Sequence, residues 1–162
     1  MDYLYRTNTR VERTSSGLVS RCEVEDEVFR AWVEITVRPP ALEVVDARAD
    51  IVAGGPAADE LAPTLERMKG VRVGSGMNKI VPGVFEASRC PRLAEMVLDA
   101  MGAVILSLTR PLLRDFHARF GGPADGADAW LVPALLPREG RESLLAENPR
   151  LYKSCVAFPE EE

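Results

Sequence analysis

Apolar and polar positions alternate along the first fifty residues. Tyr3, Tyr5, Thr7, Thr9 and Val11 share one side of an extended segment, and a period of two predicts a strand. Ser15-Ser16-Gly17 supplies a turn, and the alternation resumes from Leu18 to Val24. The sharpest pattern comes next. Phe29, Ala31, Val33, Ile35 and Val37 lie on one side, and Arg30, Trp32, Glu34 and Thr36 on the other. One dry and one wet side predict an antiparallel sheet covered on a single face. Pro39-Pro40 ends this third strand, because proline has no N–H to give to a ladder. Leu42 to Ile51 predicts a fourth strand, closed by Ala53-Gly54-Gly55-Pro56.

The period then lengthens. Leu61, Leu65 and Met68 recur at helical spacing, Gly70 suits a stop, and Pro63 belongs in the first turn or kinks the helix. Residues 71–85 have no clear period, interrupted by Gly74, Gly76 and Pro82-Gly83. Ser88 as N-cap and Pro91 in the first turn predict the start of the longest helix, with Leu93, Met96, Val97, Met101, Val104, Ile105 and Leu108 as its apolar stripe. Pro111 is expected to kink or end it, leaving Leu112 to Phe120 as a separate short helix. The run from Gly121 to Asp128 reads as loop, Arg141 to Glu147 as a short helix, and Asn148-Pro149 as the cap of another that ends near Cys155. Strands first and helices after predict an α+β fold, an antiparallel N-terminal sheet packed on a layer of helices. The expected organisation is one core domain over 1–120 with a C-terminal appendage over 121–162.

Composition narrows the function. The 162 residues hold 20 basic and 25 acidic side chains, a net charge of -5. That balance argues against a nucleic-acid partner, which calls for a basic stripe, and against an anionic membrane surface. The longest apolar run, Ala100 to Leu106, falls far short of the ~20 residues of a membrane helix, and the polar opening MDYLYRTNTR is unlike a signal peptide. Three cysteines without an export signal predict reduced thiols and a cytoplasmic protein.

Several stretches resemble known families. Asn8-Thr9-Arg10, the run from Glu66 to Gly74, Cys90-Pro91-Arg92-Leu93 and Ser154-Cys155-Val156-Ala157 together resemble a bacterial family known as domain of unknown function 2889. The likeness spans most of residues 5 to 157 and implies a setting in metabolism, near aromatic-acid breakdown. Relatives carry histidine where this chain has Asn8, Arg92 and Val156, so the Cys/His metal chemistry that their pattern implies is missing here. A second likeness, to the NifU/IscU-type iron–sulfur scaffolds, rests on Val44-Val45-Asp46-Ala47-Arg48, Ala53-Gly54-Gly55, the helix to Gly70, and Cys90 to Glu95. It implies a similar sheet-then-helix fold. Of the three cysteine ligands that such scaffolds use, only Cys90 is matched; Ala53 or Gly54 stands at another.

Cys90 is the first candidate for chemistry. A thiol at a helix N-terminus meets unpaired N–H groups and the positive end of the dipole, and Arg89 and Arg92 flank it. It reads as a catalytic nucleophile or sulfur carrier, or as a small apolar residue packing the helix end. Arg72, Gly74, Ser75 and Gly76 lack the spacing of a phosphate loop, yet their backbone N–H groups suit an anion. With Arg92 and Cys155 they form the candidate ligand site. Cys155 reads equally as core between Tyr152 and Phe158, and Cys22 as a structural or edge residue. His117 reads as a solvated residue on an amphipathic helix, the scattered acids as solvated surface, and Arg6, Arg10 and Arg13 as a basic row on the first strand. The pattern calls for no metal and no cofactor. The leading expectation is a ligand-binding or accessory protein with a small anionic ligand or a protein partner. The alternatives are a cysteine-dependent enzyme or sulfur/metal carrier using Cys90, and a structural partner in a homo-oligomer built on the sheet face around Trp32. The sequence does not decide whether the chain is an enzyme.

Overall fold

The computed structural model describes residues 3–121 and 136–149. The chain forms two compact units, Met1–Ile105 and Leu106–Glu162, a division placed after residue 120 by the sequence pattern. The N-terminal unit opens with β1 (Tyr5–Thr14), β2 (Gly17–Asp26), β3 (Arg30–Arg38) and β4 (Glu43–Ala53). They form one antiparallel sheet in the order β1-β2-β3-β4, where the alternation put them. Gly17 closes the first hairpin at φ 136°, and a Cβ there would stand 2.4 Å from the carbonyl oxygen of Val37, so only glycine fits.

β2 and β3 turn Leu18, Cys22, Val24, Ala31, Val33, Ile35 and Val37 to one face, and all are buried. β4 adds Val44, Ala49 and Ile51. Val44 and Ala49 stand an odd number of residues apart, which plain alternation forbids on one face. The register shift between Thr36 and Val37 resolves this, because a bulge inserts a residue and reverses the parity. A second shift lies between Arg30 and Ala31.

The dry face is covered by helices. These are α1 (Ala58–Glu66), α2 (Met77–Phe85) and the first half of α3 (Pro91–Phe120), with a 3-10 turn at Glu86–Ser88 between the last two. Leu61 and Leu65, then Val81, Val84 and Phe85, then Leu93, Met96, Val97, Ala100 and Met101 are among their buried residues. Between α1 and α2 the chain returns to the sheet. The N–H of Val44 donates to the carbonyl of Val71 at 2.9 Å, Gly70 N–H to Val44 at 2.9 Å, and Val73 N–H to Leu42 at 2.8 Å. The start of β4 is therefore capped along its outer edge.

Three expectations need correction. Pro63 lies inside α1, past its first turn. Residues 77–85 form a helix although Pro82 lies within it. Pro111 does not end α3, which runs unbroken to Phe120. Tertiary packing overrides the local rule there. Within the C-terminal unit Leu113 and Phe116 are buried with Leu136 and with Leu144 of α4 (Arg138–Glu147), and Leu112, Phe120 and Leu145 pack around them. The residues beyond the proline gain a hydrophobic cluster by staying helical. At 30 residues, α3 is long and apolar enough to cross a membrane by length and composition, and part of its apolar stripe is the face buried on the sheet.

Ile35 is fully buried at the centre of the sheet, whereas Val52 is 58% exposed. Ile35→Ala is expected to cost ~2–5 kcal/mol and Val52→Ala less than ~0.5 kcal/mol, read from urea melts.

Candidate functional site

The C-terminal end of α2 winds into the 3-10 turn. The Ser88 hydroxyl donates to the carbonyl of Phe85 at 2.6 Å and accepts from the N–H of Cys90 at 3.3 Å. Arg89 takes a left-handed φ of 57°, and the Cys90 carbonyl accepts from Leu93 N–H at 3.1 Å. Ser88 thus closes the 3-10 turn, and Cys90 occupies the position ahead of Pro91 that the sequence pattern gave to Ser88. The thiol does stand at the head of α3, but Cys90 is only 5% exposed. A nucleophile or carrier needs a sulfur that an electrophile can reach.

Arg92 points elsewhere than expected. Its guanidinium donates to Asp26 Oδ2 at 2.5 Å, 66 residues back in sequence, and lies 4.5 Å over the ring of Phe29. The Tyr3 hydroxyl donates to the same oxygen at 3.3 Å. Asp26 Oδ1 accepts the N–H groups of Val28 at 2.9 Å and Phe29 at 2.7 Å, which shapes the β2–β3 turn. The carboxylate side chain is 1% exposed. The Val28 N–H first, and the Arg92 hydrogen bond next, hold its pKa down at about 2. Nothing in the sequence singled out Asp26; an aspartate before a strand is a turn signal, and its arginine is far away in the chain.

The glycine-rich stretch is largely occupied by backbone pairing. The N–H groups of Gly70 and Val73 are spent on β4, and the carbonyls of Gly74 and Gly76 accept the first N–H groups of α2. Gly74 and Gly76 have φ of 152° and 90°, and Arg72 and Ser75 face solvent or its margin. Among the described residues no hydrogen bond or ion pair joins Arg72, Gly74, Ser75 or Gly76 to Cys90 or Arg92. Cys155, like Tyr152 and Phe158, lies outside the described residues.

The other candidates also find their places. Cys22 is fully buried, and that burial pushes its thiol pKa up, against a side-chain hydrogen bond with Thr9. His117, expected in solvent, is instead 6% exposed, and neither ring nitrogen has a hydrogen-bond partner among the described residues. The cause is again the continuation of α3 past Pro111, which carries this turn into the packed C-terminal unit. Arg6, Arg10 and Arg13 do not form one row. The unshifted β1–β2 register sets Arg6 and Arg10 opposite Glu25 and Arg21, and Arg13 opposite buried Leu18, so Arg13 belongs to the other face.

The wet face of the sheet holds one constellation that the pattern did not single out as a ligand site. Arg21 lies 4.2 Å over the indole of Trp32 and pairs with Glu23 at 2.7 Å and Glu34 at 3.7 Å. Arg30 pairs with Glu25. Beside them a shallow cleft of about 300 Å³ is lined by Arg6, Asn8, Glu23, Glu25, Arg30 and Trp32, among others. Among the described residues no three of histidine, cysteine, aspartate or glutamate gather as metal ligands. No family model, curated protein or solved structure matches the chain.

Two expectations follow. The folded chain binds the Asp26 proton less tightly than the unfolded chain, where a carboxyl titrates near ~3.9. Its stabilising contribution is fully present above that value and is lost as pH falls toward about 2. Urea midpoints measured from pH 6 down should fall less steeply in Asp26→Asn than in the parent, and parallel slopes would refute the assignment. In the native protein Cys22 and Cys90 should resist iodoacetamide and label only with denaturant, read by peptide mass. Rapid native labelling of Cys90 would restore the nucleophile.

Proposed function

We propose that this chain is a small accessory protein that works by binding, and that the open face of its sheet is the binding surface. The observation that carries this reading is the cleft beside the half-buried Trp32. An indole offers a large, stiff apolar contact. The lining also holds two arginines and two glutamates, Arg6, Arg30, Glu23 and Glu25. A simple anion meets repulsion there as well as attraction. A small zwitterion, of the amino-acid kind, matches both signs, so the ligand proposed is a zwitterion and not the anion expected from the glycine-rich stretch.

The competing reading, a cysteine-dependent enzyme or sulfur/metal carrier using Cys90, is favoured by the position of that thiol at the head of α3, and the alkylation experiment decides it. The accessory role in metabolism rests on the family resemblance, and a cytoplasmic setting on the cysteine usage.

Backbone amide shifts recorded during titration with free amino acids, and separately with benzoate, test the binding surface. Amino acids should move the signals of residues 23–32, and Trp32→Ala should weaken the response about tenfold. Shifts confined to Gly74–Gly76, or produced by benzoate alone, would overturn the reading.

A further inference from the structure

The two edges of the sheet are treated differently. The β4 edge is bulged twice and capped at its start by Gly70–Val73. β1 is ten residues long, in unbroken register with β2 from Tyr5 to Thr14, and contains neither proline nor glycine. Bulges, prolines and covering segments are among the devices that keep edges from pairing, and β1 has none of these among the described residues; the protection it carries is charge, at Arg6, Arg10, Glu12 and Arg13, and charge of both signs can also be matched by a second copy. We propose that two copies of this chain join through β1, antiparallel about Thr9, so that their four-stranded sheets become one.

The parity of that pairing is set by bonds already made. Asp26 N–H donates to Phe29 at 2.8 Å, so the even residues of β2 address β3 and the odd ones address β1. Their partners on β1 are even: Glu25 opposes Arg6, Glu23 opposes Asn8 and Arg21 opposes Arg10. The N–H and C=O groups of Tyr5, Thr7, Thr9, Val11 and Arg13 therefore point outward. A second copy has to match odd residue to odd residue, which places both helix layers on the same side.

Charge and ladder length together select the register, since centring on Val11 would also set Arg10 against Glu12 but would pair only residues 8–14 of β1. Centred on Thr9, Arg6 faces Glu12 of the second copy, Tyr5 faces Arg13, Thr7 faces Val11 and Asn8 faces Arg10. A shift of two residues one way sets Arg6 against Arg10, and the other way sets Arg10 against its own copy, and like charges directly opposed are unfavourable. Within one chain Arg6 makes no ion pair among the described residues, and Glu12 has only Arg10 at 3.8 Å. There is also room on the helix side, because Tyr5 and Thr7 are exposed and Thr9 and Val11 half-buried. Arg6 and Asn8 also line the cleft, so the pairing shares those side chains with it, and the mass is therefore read with no ligand added.

Sedimentation equilibrium of the full chain over a range of concentrations tests it, with circular dichroism to confirm that each variant is folded. The parent is expected to reach twice the mass of one chain. Glu12→Arg should raise the dimer Kd roughly tenfold by setting arginine against arginine at two symmetric places. Arg6→Glu combined with Glu12→Arg should return the Kd toward the parent value; the contact this makes with Glu25 in its own sheet is the same in monomer and dimer. Thr9→Pro removes an outward N–H and no bond to β2, so it should fold and remain monomeric. A parent that is monomeric at every concentration, including one whose β1 takes up a different protein, overturns the proposal. So does a dimer that Glu12→Arg and Thr9→Pro leave unchanged, or a charge swap that rescues nothing.

Discussion

A four-stranded sheet with helices on one side buries one face only, and the placing of side chains on the strands of the N-terminal unit follows from that constraint. The dry face takes Ile35, Val33 and Cys22 out of water entirely. It tolerates Ser20 there because the hydroxyl donates to the carbonyl of Ala100, 2.8 Å away and 80 residues on, and a buried polar group has to be satisfied. The Asp26–Arg92 pair does the same work at the margin, tying the β2–β3 turn to the head of α3. The wet face is left to charged pairs and Trp32.

The same constraint bears on the two described cysteines. Proximity to a helix N-terminus favours a thiolate only where the sulfur is also open to reagents. Cys90 stands at such an end and is buried; Cys22 is buried in the sheet with its pKa raised. One of the two flanking positive charges is turned aside, because Arg92 is bound to Asp26. In the C-terminal unit His117 is buried with no hydrogen-bond partner among the described residues, and burial of an imidazole without such a partner takes it from water and gives nothing back.

The strands were legible because a half-covered sheet writes its two faces into the sequence at period two. Phe29 to Val37 is the clearest case, and the burial of alternate residues reproduces it. What was not legible depends on contacts distant in sequence. The helix does not end at Pro111 because Leu113 and Phe116 find Leu136 and Leu144. The β4 bulges answer to β3 and not to any local residue. Asp26 carries no signal of its own, because Arg92 and Tyr3 complete its environment from elsewhere in the chain. The glycine-rich stretch misled for a related reason: its freedom of φ serves to lay Gly70–Val73 along β4, and a sequence shows that the backbone must turn without showing what the turn is for.

That stretch also explains why one edge of the sheet is covered at its start while the other has no cover among the described residues. The chain leaves β4 and must cross to the helix layer, so it passes the β4 edge and can cover it on the way. β1 comes first and has no such return among the described residues. Its inner face lies beyond the helix cover, which leaves Tyr5 and Thr7 exposed and only Thr9 and Val11 half-buried, too little apolar area to hold a ten-residue strand by packing. β1 is therefore held chiefly by its ladder to β2, and its second row of N–H and C=O groups is satisfied by water or by another strand. Against water a second ladder gains little for each bond, so the balance turns on the side chains that the pairing brings together. Arg6 and Glu12, on the same face of one strand and equidistant from Thr9, are placed so that a two-fold axis through that residue pairs them twice.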